Sequence, residues 1–114
     1  MTDQADEYEI DLVALRAQVA DGNFALRPHA MQHAVKEGFN EEAMLQVVLR
    51  GAVMELYPER NRCLLFANVT MEGIILPLHV VCEHLQVDAP VDFVTAYIPI
   101  ETEWETPTRR RKRS

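Results

Sequence analysis

Gly51-Ala52-Val53-Met54-Glu55-Leu56-Tyr57-Pro58 is the stretch in which this chain changes period. Just before it, Ala43, Met44, Val47 and Val48 recur at helical spacing; from Val53 onward the apolar positions follow a period of two. Working back, Asn40 is placed to cap the helix that ends at Gly51, with Glu41 and Glu42 favourably set in its first turn. Arg27-Pro28 opens an earlier helix, running from about His29 to Glu37 and stopped by Gly38. A first helix, carrying Ile10, Val13, Ala14, Ala17 and Ala20 as its apolar stripe, starts near Glu9 and ends at Asp21-Gly22. Phe24-Ala25-Leu26 reads as a short extended connector.

Working forward, Val53 to Tyr57 is a strand and Pro58-Glu59-Arg60-Asn61 a turn. Cys63 to Met71, Ile74 to His84 and Val91 to Ile98 follow as three more strands, separated by Glu72-Gly73 and by a loop from Gln86 to Pro90. Connections this short force antiparallel pairing, because parallel neighbours need a long crossover. The expected fold is therefore α+β, with two or three N-terminal helices packed on one face of a four-stranded antiparallel sheet. The expected organisation is a disordered acidic N-terminus (1–8), a single domain (9–105) anchored by Trp104, and a disordered basic tail (106–114).

Composition narrows the function classes. An apolar fraction of 48% and a charged fraction of 25% are those of an ordinary globular domain. The longest apolar run, around Ile74 to Cys82, is interrupted by Pro77 and His79 and falls short of the ~20 residues a membrane span requires. The start Met1-Thr2-Asp3-Gln4-Ala5-Asp6-Glu7 is acidic and unlike a secretory signal, so the cytoplasm is the expected compartment and no membrane partner is expected. Cys63 and Cys82 form no metal-binding doublet and read as reduced strand residues. Five of the eleven basic residues fall in Arg109-Arg110-Arg111-Lys112-Arg113, leaving six basic against eighteen acidic side chains before them, a net charge of −12. An acidic body repels a nucleic-acid backbone, whereas the basic run attracts one.

Four residues carry the side chains of metal-free proton transfer. His79 is an imidazole in a strand of Leu, Val and Ile, and shares a face with Val81 and Glu83. His29 and His33, four apart, share one helix face, and Tyr97 offers a hydroxyl to a phosphate oxygen. Arg60, Arg62, Arg27 and Lys36 are the candidate substrate-binding cations. The structural alternative is an edge-of-core His79, a solvent-facing histidine pair and solvated turn arginines. His29 and His33 are also half of a zinc site, but His79, Cys82, Glu83 and His84 complete no recognised spacing, and neither metal nor cofactor is expected.

The order of these elements resembles the bacterial domain-of-unknown-function family 4258. The elements are His29-Ala30, Gly38, Glu41-Glu42, Gly51-Ala52-Val53-Met54-Glu55-Leu56-Tyr57-Pro58, Pro77-Leu78-His79-Val80-Val81 and Thr95-Ala96-Tyr97-Ile98-Pro99, followed by Trp104. His33 stands where that family usually carries an arginine. The resemblance implies a small toxin-type ribonuclease fold of the barnase and RelE kind, with RNA as substrate and an antitoxin-like protein as partner. The resulting expectation is a metal-independent endoribonuclease of a toxin–antitoxin-like system. The alternative, motivated by the acidic surface, is a non-catalytic protein-binding module.

Overall fold

The computed structural model describes residues 10–99, 104–106 and 109–110. Three helices come first, with one short strand among them: α1 (Leu12–Ala20), β1 (Phe24–Leu26), α2 (Pro28–Glu37) and α3 (Glu41–Arg50). The chain then turns to β2 (Ala52–Tyr57), a single 3-10 turn (Pro58–Arg60), β3 (Arg62–Met71), β4 (Ile74–Glu83) and β5 (Val91–Tyr97). The acidic start expected to be unstructured lies outside the described residues. Of the expected tail, Thr106 and Arg109–Arg110 belong to a two-stranded hairpin in which β6 (Trp104–Thr106) pairs with β7 (Arg109–Arg110). No helix among the described residues is long and apolar enough to cross a membrane.

Local chemistry sets the helix ends. The Asp11 carboxylate accepts from the Ala14 backbone N–H at 3.1 Å, so α1 begins after Asp11 instead of near Glu9. Asn40 caps α3 in the same way, accepting from Ala43 at 2.9 Å. Gly38 ends α2 in the left-handed region at φ 84°, where a side chain would be strained. The buried face of α1 differs from the expected stripe: Leu15 and Val19 are in the core, whereas Val13 is 80% exposed. Nearly every face of this helix carries an apolar side chain, so periodicity could not choose among them.

The meander β2–β3–β4–β5 is antiparallel throughout, as its short connections require. Glu72 and Gly73, both at positive φ, make the two-residue turn that matches the twist of β3 and β4. The sheet nevertheless has five strands in the order β1-β5-β4-β3-β2, and it is mixed. Phe24–Leu26, expected as a connector, pairs parallel to Val91–Phe93. The bonds Val91 N–H to Asn23 O and Arg27 N–H to Phe93 O, both 3.1 Å, extend that ladder at each end. Three residues are too few to carry a period, which is why the strand is invisible in the sequence.

The helices cover one sheet face. Leu15 and Val19 from α1, Ala30 and Ala34 from α2 and Ala43, Met44, Val47 and Val48 from α3 form one cluster with the inward side chains of β3, β4 and β5. Gly51 is the joint between this layer and the sheet. Its N–H donates to Val47 O at 2.7 Å, and a Cβ built on it meets the backbone oxygens of Val47 and Phe66 inside van der Waals contact. Arg16 caps the same joint, donating to Val48 O at 2.8 Å and to Gly51 O. Gly51→Ala should therefore destabilise the fold by about 3 kcal/mol, the upper end of overpacking costs, because backbone atoms cannot move aside as side chains do. A shift in the urea midpoint checks this; an unchanged midpoint would mean that the joint yields.

Candidate functional site

Strand pairing arranges the other sheet face, which faces away from the helical cluster, in three rows. Alternation puts every second residue on each side. Pairing then aligns Ala52, Phe66, His79 and Tyr97 in one row, Glu55, Leu64, Val81 and Thr95 in the next, and Tyr57, Arg62, Glu83 and Asp92 in the third. Bulges between Val53 and Glu55 and between Val81 and Cys82 keep the rows in phase across β2 and β5. His79 does share a face with Val81 and Glu83, as alternation predicts.

The first row is aromatic. The His79 ring meets Phe66 edge-on at 82°, with centroids 5.7 Å apart, and lies 5.2 Å from the Tyr97 ring. Its Nδ1 is 3.4 Å from the Tyr97 hydroxyl, at the limit of hydrogen-bond reach. His79 is fully buried, and Tyr97 is half-buried. His79 is thus a packed residue, with Phe66 and Tyr97 flanking its ring in its own row. The middle row is mostly apolar at its centre, where Leu64 is also fully buried.

The third row is ionic. Glu83 accepts from Arg62 Nε at 3.0 Å and also from Arg27 Nη2, which reaches Asp92 Oδ2 at 2.8 Å. Burial pushes the Glu83 carboxyl up, but the bonds from Arg62 and Arg27 outweigh it and hold its pKa below the usual carboxylate value. Two of the expected substrate cations, Arg27 and Arg62, are thus already engaged by carboxylates. Arg60 is exposed and takes part in none of the ion pairs found among the described residues.

Between the ionic and middle rows is an open concavity of about 410 Å³, lined by Tyr57, Glu59, Arg60, Arg62, Val81 and Thr95. This is within the size range of small-ligand sites. Arg60 and Arg62 therefore reach one concavity, with His79 and Tyr97 two residues along β4 and β5 from Val81 and Thr95 on the same face. Tyr57 and Thr95 were missed as candidates. Their signal lay in the two-residue period: Tyr57 shares a face with Glu55, and Thr95 with Tyr97.

His29, His33 and Lys36 do not line this concavity. The two imidazoles stack on α2 with centroids 4.6 Å apart and planes at 59°. His33 Nδ1 lies 2.9 Å from Glu37 Oε2, and the other Glu37 oxygen accepts the Ile98 N–H at 2.9 Å. Lys36 is exposed on the same helix. The helix histidines and the turn arginines do not share this concavity, because register on the sheet and position on a separate helix are set independently.

Other polar groups are structural. His84 is fully buried, with Nε2 3.1 Å from Gln18 Oε1 and 3.3 Å from Val87 O, which ties α1 to the end of β4. Cys63 and Cys82 are register partners on the helical side of the sheet, both free and buried. Burial pushes the Cys63 thiol up to about 11 and raises Cys82 well above its ordinary value, so neither is a ready nucleophile. Among the described residues no group of three or more His, Cys, Asp or Glu side chains is placed to hold a metal ion.

Comparison with protein-family profiles, with curated proteins and with solved structures finds no match.

The ionic row makes a pH prediction. A carboxylate held below its unfolded value stabilises the fold at neutral pH, and the contribution is lost as pH falls past the ordinary carboxylate value of about 4.3 and through the folded one. Glu83→Gln should cost about 1–2 kcal/mol at pH 7, after allowing for screening at Arg27, whose side chain is 38% exposed. The gap between variant and wild type should begin to close as pH falls past the ordinary carboxylate value and vanish only below the lowered folded-state pKa, where Glu83 is protonated in both states. Urea denaturation across that range measures it; a gap independent of pH would assign the loss to packing.

Proposed function

We propose that this chain acts on RNA through the sheet face opposite the helices, as a metal-independent endoribonuclease of the toxin type. The carrying observation is one concavity with two guanidinium groups and two hydroxyls, from Arg60, Arg62, Tyr57 and Thr95, next to the His79–Tyr97 pair. In this reading Arg60 supplies the uncommitted positive charge for a backbone phosphate and the Thr95 hydroxyl donates to its oxygens, whereas the Tyr57 hydroxyl donates to the Glu55 carboxylate. Cleavage by the ribose 2′-hydroxyl needs one proton removed there and one delivered to the leaving 5′-oxygen. Tyr97 delivers the proton to the leaving 5′-oxygen while solvent water takes the 2′-hydroxyl proton, and His79 behind Tyr97 acts as a positioning residue that sets the orientation and proton affinity of its hydroxyl. The resemblance of Phe24 to Trp104 to a toxin-type family is the other support, and an antitoxin-like protein is the partner that setting supplies.

A second reading, the protein-binding module, is favoured by one specific observation. His79 is sealed and Arg62 is neutralised by Glu83, so much of the chemistry on this face is committed internally.

The two separate in one assay. Under the ribonuclease reading the purified chain cleaves RNA in chelator-treated buffer. Tyr97→Phe and Arg60→Ala should each lower the rate by about a hundredfold or more, the usual scale of one lost proton-transfer or charge-stabilising group. His79→Gln should shift the pH profile and leave RNA affinity unchanged. Intact RNA from pH 5 to 8 would overturn the reading and leave the binding module.

A further inference from the structure

We propose that His29 and His33 form a two-imidazole site for a borderline transition-metal ion, Zn²⁺ being the probe of choice, on the outer surface of α2. The proposal is independent of the ribonuclease reading, since neither histidine lines the sheet concavity.

Three observations carry it. The first is spacing: residues four apart on a helix lie one above the other, which is how the paired histidines of metalloprotease helices grip one zinc ion. The second is proximity. An ion bonded to two ring nitrogens at about 2.1 Å requires ring centres no more than roughly 6 Å apart. Here they are 4.6 Å apart and tilted instead of parallel, inside that limit. The third is orientation. Glu37 Oε2 takes the Nδ1 position of His33, which leaves the Nε2 lone pair for a ligand. Glu37 is itself held, because its Oε1 accepts the Ile98 N–H. A carboxylate backing a ligating imidazole raises its basicity and fixes its tautomer, the arrangement found behind many zinc-bound histidines.

Accessibility agrees with this assignment. His29 is exposed and the His33 side chain is 31% exposed, whereas His79 and His84 are fully buried. No third protein ligand completes the cluster among the described residues, so water fills the remaining positions, as in open zinc sites. One force opposes binding: His29 is in the first turn of α2, where the helix dipole disfavours a cation. The Glu37 carboxylate and the acidic body offset it. Once bound, the ion staples the first two turns of α2, and the Glu37–Ile98 bond carries that restraint to the end of β5.

The test is calorimetric titration of the full, chelator-stripped, untagged chain with Zn²⁺ at about pH 7.5, where imidazole is neutral and able to ligate. The expected result is one ion per chain, with binding lost in His29→Ala and in His33→Ala. Glu37→Gln keeps an acceptor for the Ile98 N–H but removes the charge, and should weaken binding about tenfold or more. At ten times the Kd, binding favours the folded state about elevenfold, which for a domain this size raises Tm by about 5 °C. Mg²⁺, which prefers oxygen ligands, should do neither. Absence of heat and of a Tm shift with Zn²⁺ would overturn the proposal, as would undiminished binding in the His29→Ala/His33→Ala double variant.

Discussion

Glu83, held between Arg27 and Arg62, is the interaction that the arrangement of the domain depends on. Arg27 is at the junction of β1 and α2, Arg62 opens β3, and Asp92, the second partner of Arg27, is on β5. One carboxylate at the end of β4 therefore ties together the fifth strand, the start of a helix and the far half of the meander. Its side chain is only 11% exposed, so water cannot replace a missing partner at full strength. Removing one member of such a network leaves a charge half-stranded, which costs more than the intact network contributes over an apolar replacement.

The same network decides how much positive charge the domain can offer a ligand. The sequence puts four cations at candidate positions, Arg27, Arg60, Arg62 and Lys36. Two are spent on Glu83 and Asp92, and Lys36 is on α2 away from the concavity. Under the proposed function, an anion at the sheet concavity would meet Arg60 and the Thr95 hydroxyl, since the Tyr57 hydroxyl donates to Glu55. The three rows also grade from ionic to aromatic, so the His79–Tyr97 pair is in the drier third of the face. A hydrogen bond there is stronger than in water, and a substrate would meet it only through the half-exposed Tyr97.

Much of this was legible from sequence where local physics decides. Asn40 and Gly38 announced their helix ends because capping is a matter of one side chain or one φ angle. The switch at Gly51 announced the meander because a period of two cannot serve a helix, and the two-residue turn at Glu72-Gly73 required antiparallel neighbours. Alternation alone put His79, Val81 and Glu83 on one face. Where these signals ended, so did the reading: α1 is apolar on nearly every face, so the sequence named the wrong stripe, and Val13 is in solvent.

The sequence by itself thus determined the helices, the four-strand meander and the face each strand residue takes, because each depends on neighbours a few residues away. Only the tertiary structure decided that Phe24–Leu26 is a strand, since its partner is 67 residues distant and three residues carry no period. Only the tertiary structure joined Arg27, Arg62, Glu83 and Asp92, packed His79 against Phe66 and Tyr97, and kept the α2 histidines from the sheet concavity. Those outcomes depend on strand register and on where a helix docks. Both are fixed by the burial of whole faces at once, which no single segment encodes.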